Sequence, residues 1–205
     1  MATNPIPRLT EEEYLRLERA AEYKSEYYQG EMFAMSGASF PHARLQSNLL
    51  VEWALALRDK DCAALGSDVR VRVPATGLYT YPDVIVICGP PQFADDQKDT
   101  VLNPTVIIEV LSPSTENYDR GRKFQHYRTI PSLRHYVLVE QSALRVEHYQ
   151  RHANETWLLR QMDKPEDELR LDTMGVAIPL KLIYAKVELP PEMPAVEGLL
   201  GLPRN

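Results

Sequence analysis

The apolar positions of this chain fall into helical and strand periods that change over along its length. Thr10 followed by Glu13 forms a capping box, and Tyr14, Leu15, Leu17 and Ala21 recur at near-helical spacing, which predicts a first helix over residues 11–22. Residues 24–36 read as a hairpin, with Gln29-Gly30 turning between Tyr27-Tyr28 and Glu31-Met32-Phe33. Ser39 offers an N-cap and Pro41 a helix start. Leu45, Leu49, Trp53 and Leu57 then recur every four residues, carrying a second, amphipathic helix to about residue 59. Val69, Val71 and Val73 alternate with Asp68, Arg70 and Arg72, the period of a half-buried strand, and a turn around Gly77 allows an antiparallel pair. Val84 to Cys88 and Val106 to Ile108 are almost unbroken apolar runs, as expected of strands covered on both faces. Between them, residues 89–103 are polar and rich in Pro and Asp, a surface loop.

A further helix is predicted over residues 117–130, stopped by Pro131, followed by strands at 136–139, near 144–150 and near 155–161. The order describes an α/β sandwich with a mixed sheet. Residues 66–73, 82–88 and 105–111 are expected as adjacent strands, with helices 42–59 and 117–130 packed on them. The expected organisation is one domain over residues 1–189 with a Pro-rich tail at 190–205.

Glu109 is the most informative position. A carboxylate inside Val106-Ile107-Ile108-Glu109-Val110-Leu111 costs several kcal/mol if nothing meets it. A metal ion, a retained proton or an ion pair with Arg70 or Arg72 would each serve. Asp83 opens the neighbouring apolar run, sharing a strand face with Ile85 and Ile87, while Glu109 shares one with Thr105, Ile107 and Leu111. In a suitable register the two acids converge, and their hard oxygens favour Mg²⁺ or Mn²⁺; no Cys/His spacing suggests zinc. Asp119, Lys123 and Tyr127 are spaced by four on the helix that follows, so the Lys123 ammonium can come near the acids, orient a water and offset charge on a phosphate. Glu31, just after Gly30, is the candidate for a further acid at the site, with Glu52 as the alternative; each also reads as an exposed glutamate. His42 and Gln46, one turn apart, could face the same pocket, and Ser112 and Thr115 read as caps of the next helix.

Composition narrows the setting. Hydrophobic residues make up 44% and charged residues 25%, and no run of about 18 apolar residues could span a bilayer. Met1 to Arg8 carries no secretory pattern, so a cytoplasmic location is expected, with Cys62 and Cys88 as buried thiols. A net charge of −6 argues against a non-specific DNA coat protein. Basic residues nevertheless gather between 116 and 135, where Arg120, Arg122, Lys123, Arg128 and Arg134 outnumber Glu116 and Asp119.

Tyr81-Pro82-Asp83-Val84-Ile85-Val86, then Val106-Ile107-Ile108-Glu109-Val110-Leu111-Ser112-Pro113-Ser114-Thr115, then Asp119, Lys123 and Tyr127 resemble the Uma-two family of restriction-endonuclease-like proteins, within the PD-(D/E)XK nuclease superfamily. The resemblance runs from Thr10 to about Leu189. It implies a restriction-endonuclease-like mixed sheet flanked by helices, with an added N-terminal helix-hairpin and C-terminal strands. It also implies Asp83 and Glu109 as ligands of Mg²⁺ or Mn²⁺, and DNA as the partner. Leu111 stands where the superfamily pattern has lysine, and Lys123 is the expected substitute. The function so implied is metal-dependent endonucleolytic hydrolysis of DNA phosphodiester bonds, by a homodimer matched to the symmetry of a duplex. The alternative, favoured by the net acidity and the displaced lysine, is a non-catalytic nucleic-acid or protein-binding module on the same fold. A small-molecule phosphohydrolase is a third class.

Overall fold

The computed structural model describes residues 8–191; the tail expected at 190–205 and the N-terminal segment therefore lie almost wholly outside the described residues. Helix α1 (Glu11–Ala20) begins at the predicted capping box, Thr10 and Glu13 each bonding the other's backbone N–H. Strands β1 (Ser25–Tyr28) and β2 (Glu31–Ala34) form the predicted hairpin. Gln29 and Gly30 both take positive φ, 50° and 89°, and a Cβ on Gly30 would sit 2.5 Å from Arg8 Cβ, so only glycine fits there. Helix α2 (Phe40–Ala56) is capped by Ser39 and buries Leu45, Leu49 and Trp53.

Two main sheets follow. The first joins the hairpin to β4 (Arg70–Val73), β5 (Leu78–Thr80) and β7 (Thr100–Val101) in the order β2-β1-β5-β4-β7. The second contains β3 (Cys62–Gly66), β6 (Val84–Cys88), β8 (Val106–Leu111), β9 (His135–Glu140), β10 (Val146–Arg151) and β11 (Trp157–Met162) in the order β11-β10-β9-β8-β6-β3. It is a mixed sheet: β6 runs antiparallel to β8, while β8 and β9 are parallel. A parallel pair needs a crossover, supplied by residues 116–127: α3 (Glu116–Tyr118), a π turn (Asp119–Lys123) and α4 (Phe124–Tyr127). The second sheet is buried on both faces. Val84, Val86, Val106 and Ile108 pack on Leu45, Leu49 and Trp53 of α2, and Ile85, Ile87 and Ile107 pack on Val71, Val73 and Leu78 of the first sheet. A small hairpin, β12 (Glu168–Leu171) and β13 (Val176–Pro179), with helix α5 (Leu180–Ile183), closes the α2 side.

Several expectations are corrected. The strand at 66–73 does not adjoin 82–88; β3, with its weak Cys-Ala-Ala-Leu-Gly pattern, takes that place. The Gly77 turn does make an antiparallel pair, but of β4 with β5, and the chain changes sheets only at Tyr81-Pro82. Arg70 is not on a wet face: it is 2% exposed, paired with Asp99 at 2.9 Å and bonded to the Tyr81 hydroxyl at 2.9 Å. The loop at 89–103 contributes β7, which pairs with β4. Cys62 and Cys88 are not free thiols. The β3–β6 register sets them directly opposite, with Cα atoms 4.0 Å apart, and they form a disulfide. Among the described residues, no helix is long and apolar enough to cross a membrane.

On the α2 side of the second sheet, His135 Nδ1 lies 2.9 Å from His148 Nε2, and His135 Nε2 lies 2.8 Å from Thr173 Oγ1. Burial, with His148 and Arg134 nearby, lowers the His135 pKa to about 3; burial and Arg160 lower that of His148 to about 4. The unfolded chain protonates both near pH 6.5. Their contribution to stability is therefore complete above about pH 6.5 and is lost as pH falls through the interval down to 4 and 3. Removing one of the two groups takes away up to about 1.4 kcal/mol per pH unit of that slope. Urea unfolding of His148→Gln between pH 6 and 4.5 should show a dependence shallower by about that amount, and an unchanged slope would contradict the assignment.

Candidate active site

The two acids singled out by sequence meet through the sheet register. Val84 pairs with Ile108 across β6 and β8, which places Asp83 on the next rung, beside Glu109. Their contacts are reciprocal. The Asp83 N–H donates to Glu109 Oε2 at 3.3 Å, and the Val110 N–H donates to Asp83 Oδ2 at 2.7 Å. Pro82 precedes the strand, where no ladder donor is needed, and Asp83 stands at its mouth, just before Val84.

The crossover brings the third residue. Lys123 closes the π turn, a widened turn of the kind often found at functional positions. Its ammonium lies 3.0 Å from Glu109 Oε1, 3.2 Å from Glu26 Oε1 and 3.5 Å from Asp119 Oδ1. The Tyr127 hydroxyl donates to Glu109 Oε1 at 2.8 Å, and the Tyr136 hydroxyl holds the turn by donating to the Asp119 carbonyl at 3.0 Å. Glu109 and Asp119 are each 3% exposed and Lys123 is 6% exposed. Neither Arg70 nor Arg72 meets Glu109, since Arg72 pairs with Glu11 at 3.0 Å and Arg70 with Asp99.

Electrostatics follow from this crowding. Burial raises the Glu109 pKa, Lys123 opposes the rise, and Asp119 and Asp83 add to it. Burial alone would push the Lys123 ammonium toward neutrality, but Glu109, Tyr127, Glu26 and Asp119 outweigh it and hold the charge firmly. Asp119 is also raised, by burial first, and its buried Oδ1 accepts no hydrogen bond. On the Asp83 side, His42 Nε2 lies 3.3 Å from Asp83 Oδ2, and the Gln46 amide donates to the Asp83 carbonyl at 2.9 Å. Burial disfavours a charged His42 ring, yet Asp83 outweighs it and the pKa is raised. Four carboxylates thus share one lysine and one histidine, and where no further cation is present burial and this crowding favour a retained proton on Glu109 or Asp119.

These groups open on a cleft of about 710 Å³, lined also by Phe33, Met35, Ser112, Tyr118 and Gln141. A larger cavity of about 820 Å³ lies against α1 and Arg72. There, Glu11 is paired with Arg72 and Asp95 with Arg19, at 3.0 and 2.7 Å, so the smaller cleft is the chemically unbalanced one.

Asp83, Glu109, Lys123, His42, Gln46, Asp119 and Tyr127 are therefore brought together. Glu31 is not: it sits exposed at the hairpin turn, paired with Tyr28, and does not line the cleft. Glu52, on the later turns of α2, does not line it either. The acid that the hairpin does supply is Glu26, fixed by the Thr80 hydroxyl at 2.5 Å. Only the packing of β1 beside β5 reveals it, because a single glutamate in a four-residue strand carries no pattern of its own. The basic segment is partly neutralised, with Arg120 paired to Glu140 and Glu147.

Comparison with known proteins settles the family. A sequence model described as "Uma2: Putative restriction endonuclease" matches residues 11–181. The chain belongs to the Uma2 family. Two relatives from Synechocystis sp. (strain ATCC 27184 / PCC 6803 / Kazusa) bear the names "Uncharacterized protein sll1609" and "Uncharacterized protein slr1290". The first is 40% identical, over 86% of this chain and 98% of the relative; the second is 36% identical, over 88% and 93%. The crystal structure of a putative nuclease belonging to DUF820 from Anabaena variabilis ATCC 29413 superposes with a TM-score of 0.70 at 17% identity, covering 86% of this Uma2 chain and 97% of the other. That likeness gives the fold: a nuclease-type mixed sheet flanked by helices, here extended by the N-terminal helix-hairpin and the C-terminal strands.

If the buried lysine is the counter-charge for the acids, its removal should be costly and non-additive. Lys123→Met, in the absence of divalent metal, should lose about 3–5 kcal/mol of unfolding free energy, the scale of stranding a buried charge. Adding Glu109→Gln to it should cost less than the sum of the two single changes. Strict additivity in urea titrations would show that the pair is not coupled.

Proposed function

We propose that this Uma2 protein is a divalent-metal-dependent nuclease that hydrolyses DNA phosphodiester bonds at the Asp83–Glu109–Lys123 cleft. The observation carrying the reading is the crowding of acids at the cleft floor: Asp83 just before β6 beside Glu109 of β8, with Glu26 and Asp119, around only Lys123 and His42. The donor set fits Mg²⁺ or Mn²⁺. It consists of hard oxygens, and the buried Asp119 Oδ1 accepts no hydrogen bond and meets only the Lys123 ammonium at 3.5 Å, a charge that Glu109 and Glu26 already share. Among the described residues no three His, Cys, Asp or Glu side chains stand arranged as a ready-made metal cage. Mg²⁺ does not require one, since it commonly binds through one or two carboxylates and keeps several waters.

Asp83 and Glu109 would hold the ion, which when bound supplies Lewis-acid polarisation of a phosphate oxygen and a more acidic water. The protein's own part is positional. Tyr127 fixes one oxygen of Glu109, and Gln46 fixes the backbone of Asp83. His42, 3.3 Å from Asp83 Oδ2, would share that carboxylate with the ion. Lys123, held by Glu26 and Asp119 from behind, presents a permanent positive charge toward the cleft, suited to orienting a water or a phosphate oxygen. In this reading residues 1–189 act as one domain, and two copies meet a duplex about a two-fold axis. The competing reading, a binding module without catalysis, is favoured by one observation: the Lys123 ammonium is already ion-paired to three carboxylates.

Asp83→Asn and Glu109→Gln should each abolish Mg²⁺-dependent DNA cleavage while leaving the circular dichroism spectrum unchanged. Lys123→Met, assayed where it is folded, should still bind metal by calorimetry but cleave about 10²-fold more slowly or worse. Unchanged cleavage by all three variants would place the activity elsewhere. Wild-type protein that binds no metal and cuts neither plasmid, single-stranded DNA nor RNA would leave the binding module as the better account.

A further inference from the structure

The cleft wall beside the charge cluster carries a feature that phosphate chemistry does not require. Phe33 is 48% exposed and lines the cleft, and Met35, 36% exposed, continues the same apolar wall. Phe33 is the direct cross-strand partner of Glu26 in the β1–β2 hairpin. Directly opposed residues in an antiparallel pair point to the same face with Cβ atoms about 4.5–5.5 Å apart. The Phe33 ring is therefore one side chain away from the carboxylate that grips Lys123. A second aromatic residue, Tyr118 of α3, lines the cleft from the crossover, its ring centroid 5.9 Å from the Lys123 ammonium. An apolar ring left half in water beside a buried ionic centre gains only part of the burial it could have. It gains when a flat, π-faced group covers it.

We propose that Phe33, with Tyr118, forms a stacking subsite for an unpaired nucleobase next to the scissile phosphate. The substrate is then a single strand, or a duplex opened at the site of cutting. This rests on the phosphodiester reading above and adds the form of the nucleic acid. The Tyr118 ring lies 5.9 Å from the Lys123 ammonium and Phe33 stands directly across the hairpin from Glu26, so flat aromatic and charged chemistry adjoin in one cleft. A paired base inside a duplex shows only its edges to the grooves, so an aromatic wall reaches its face only if the base is splayed out. The ionic floor points the same way, because Glu109 and Lys123 are 3% and 6% exposed and lie below the rim that a stacked duplex would meet.

The test is equilibrium binding of a fluorescein-labelled oligothymidylate, read by anisotropy in Ca²⁺ and again in EDTA. Wild type is compared with Phe33→Ala, Phe33→Leu and Phe33→Trp, using a matching abasic oligomer as control. Stacking on one base predicts that Phe33→Ala binds about five- to 150-fold more weakly. Phe33→Trp should bind at least as tightly as wild type, Phe33→Leu should fall between, and the abasic oligomer should not distinguish the variants. Equal binding by wild type and Phe33→Ala, an equal loss on the abasic oligomer, or no binding by wild type would overturn the subsite. So would self-association of the wild type, without oligonucleotide, that Phe33→Ala abolishes, since the ring would then belong to an interface between copies. The two readings fail separately. Phe33-dependent binding without cleavage under any divalent metal sinks catalysis and leaves the subsite standing. Asp83-dependent cleavage of duplex that is indifferent to Phe33 does the reverse.

Discussion

The ammonium of Lys123, closed in among Glu109, Glu26 and Asp119, is the interaction on which the rest of the structure depends. Each partner comes from a different part of the fold: Glu109 from the centre of the six-stranded sheet, Glu26 from the N-terminal hairpin, Asp119 from the crossover itself. One charge therefore joins the second sheet, the first sheet and the segment that links β8 to β9. Tyr127 and Thr80 extend the same network, Tyr127 onto Glu109 and Thr80 onto Glu26. Buried charges of this kind contribute little to net stability compared with an apolar packing of equal volume, yet losing one partner is severe. Such a cluster is retained where its charge has a use. Here the acids outnumber the cations, and that deficit is what a divalent ion would fill.

Much of this was readable from the chain, for a definite reason. Glu109 stands out because a carboxylate inside an otherwise apolar strand must be answered by something. Asp83 follows from the rule of two along a strand, and Lys123 with Asp119 and Tyr127 from the rule of four along a helix. These are local regularities. The helix caps at Thr10 and Ser39 and the Gln29-Gly30 turn were legible on the same ground.

What was not legible depends on pairing between distant segments. Glu26 and Glu31 lie on one short hairpin, and only the docking of β1 beside β5 decides which of them turns inward. The half-buried period of β4 does not say which sheet it joins, so Arg70 gave no sign of being sequestered with Asp99 and Tyr81. Strand β3 lacks the branched apolar residues that announce a strand, and with it the pairing of Cys62 and Cys88 was hidden. The position of Phe33 on the cleft wall has the same origin, since its neighbour across the hairpin is the acid that sequence alone did not select.

The nuclease reading turns on a divalent cation that Asp83 and Glu109 would share at the cleft floor. Its most direct measurement is anomalous diffraction from crystals soaked in Mn²⁺. A manganese peak is expected in the cleft, in contact with both carboxylates and absent from Glu109→Gln crystals. A cleft with no peak at saturating Mn²⁺, with Glu109 still bonded to Lys123 and Tyr127, would contradict it and leave the cluster as a closed ion pair.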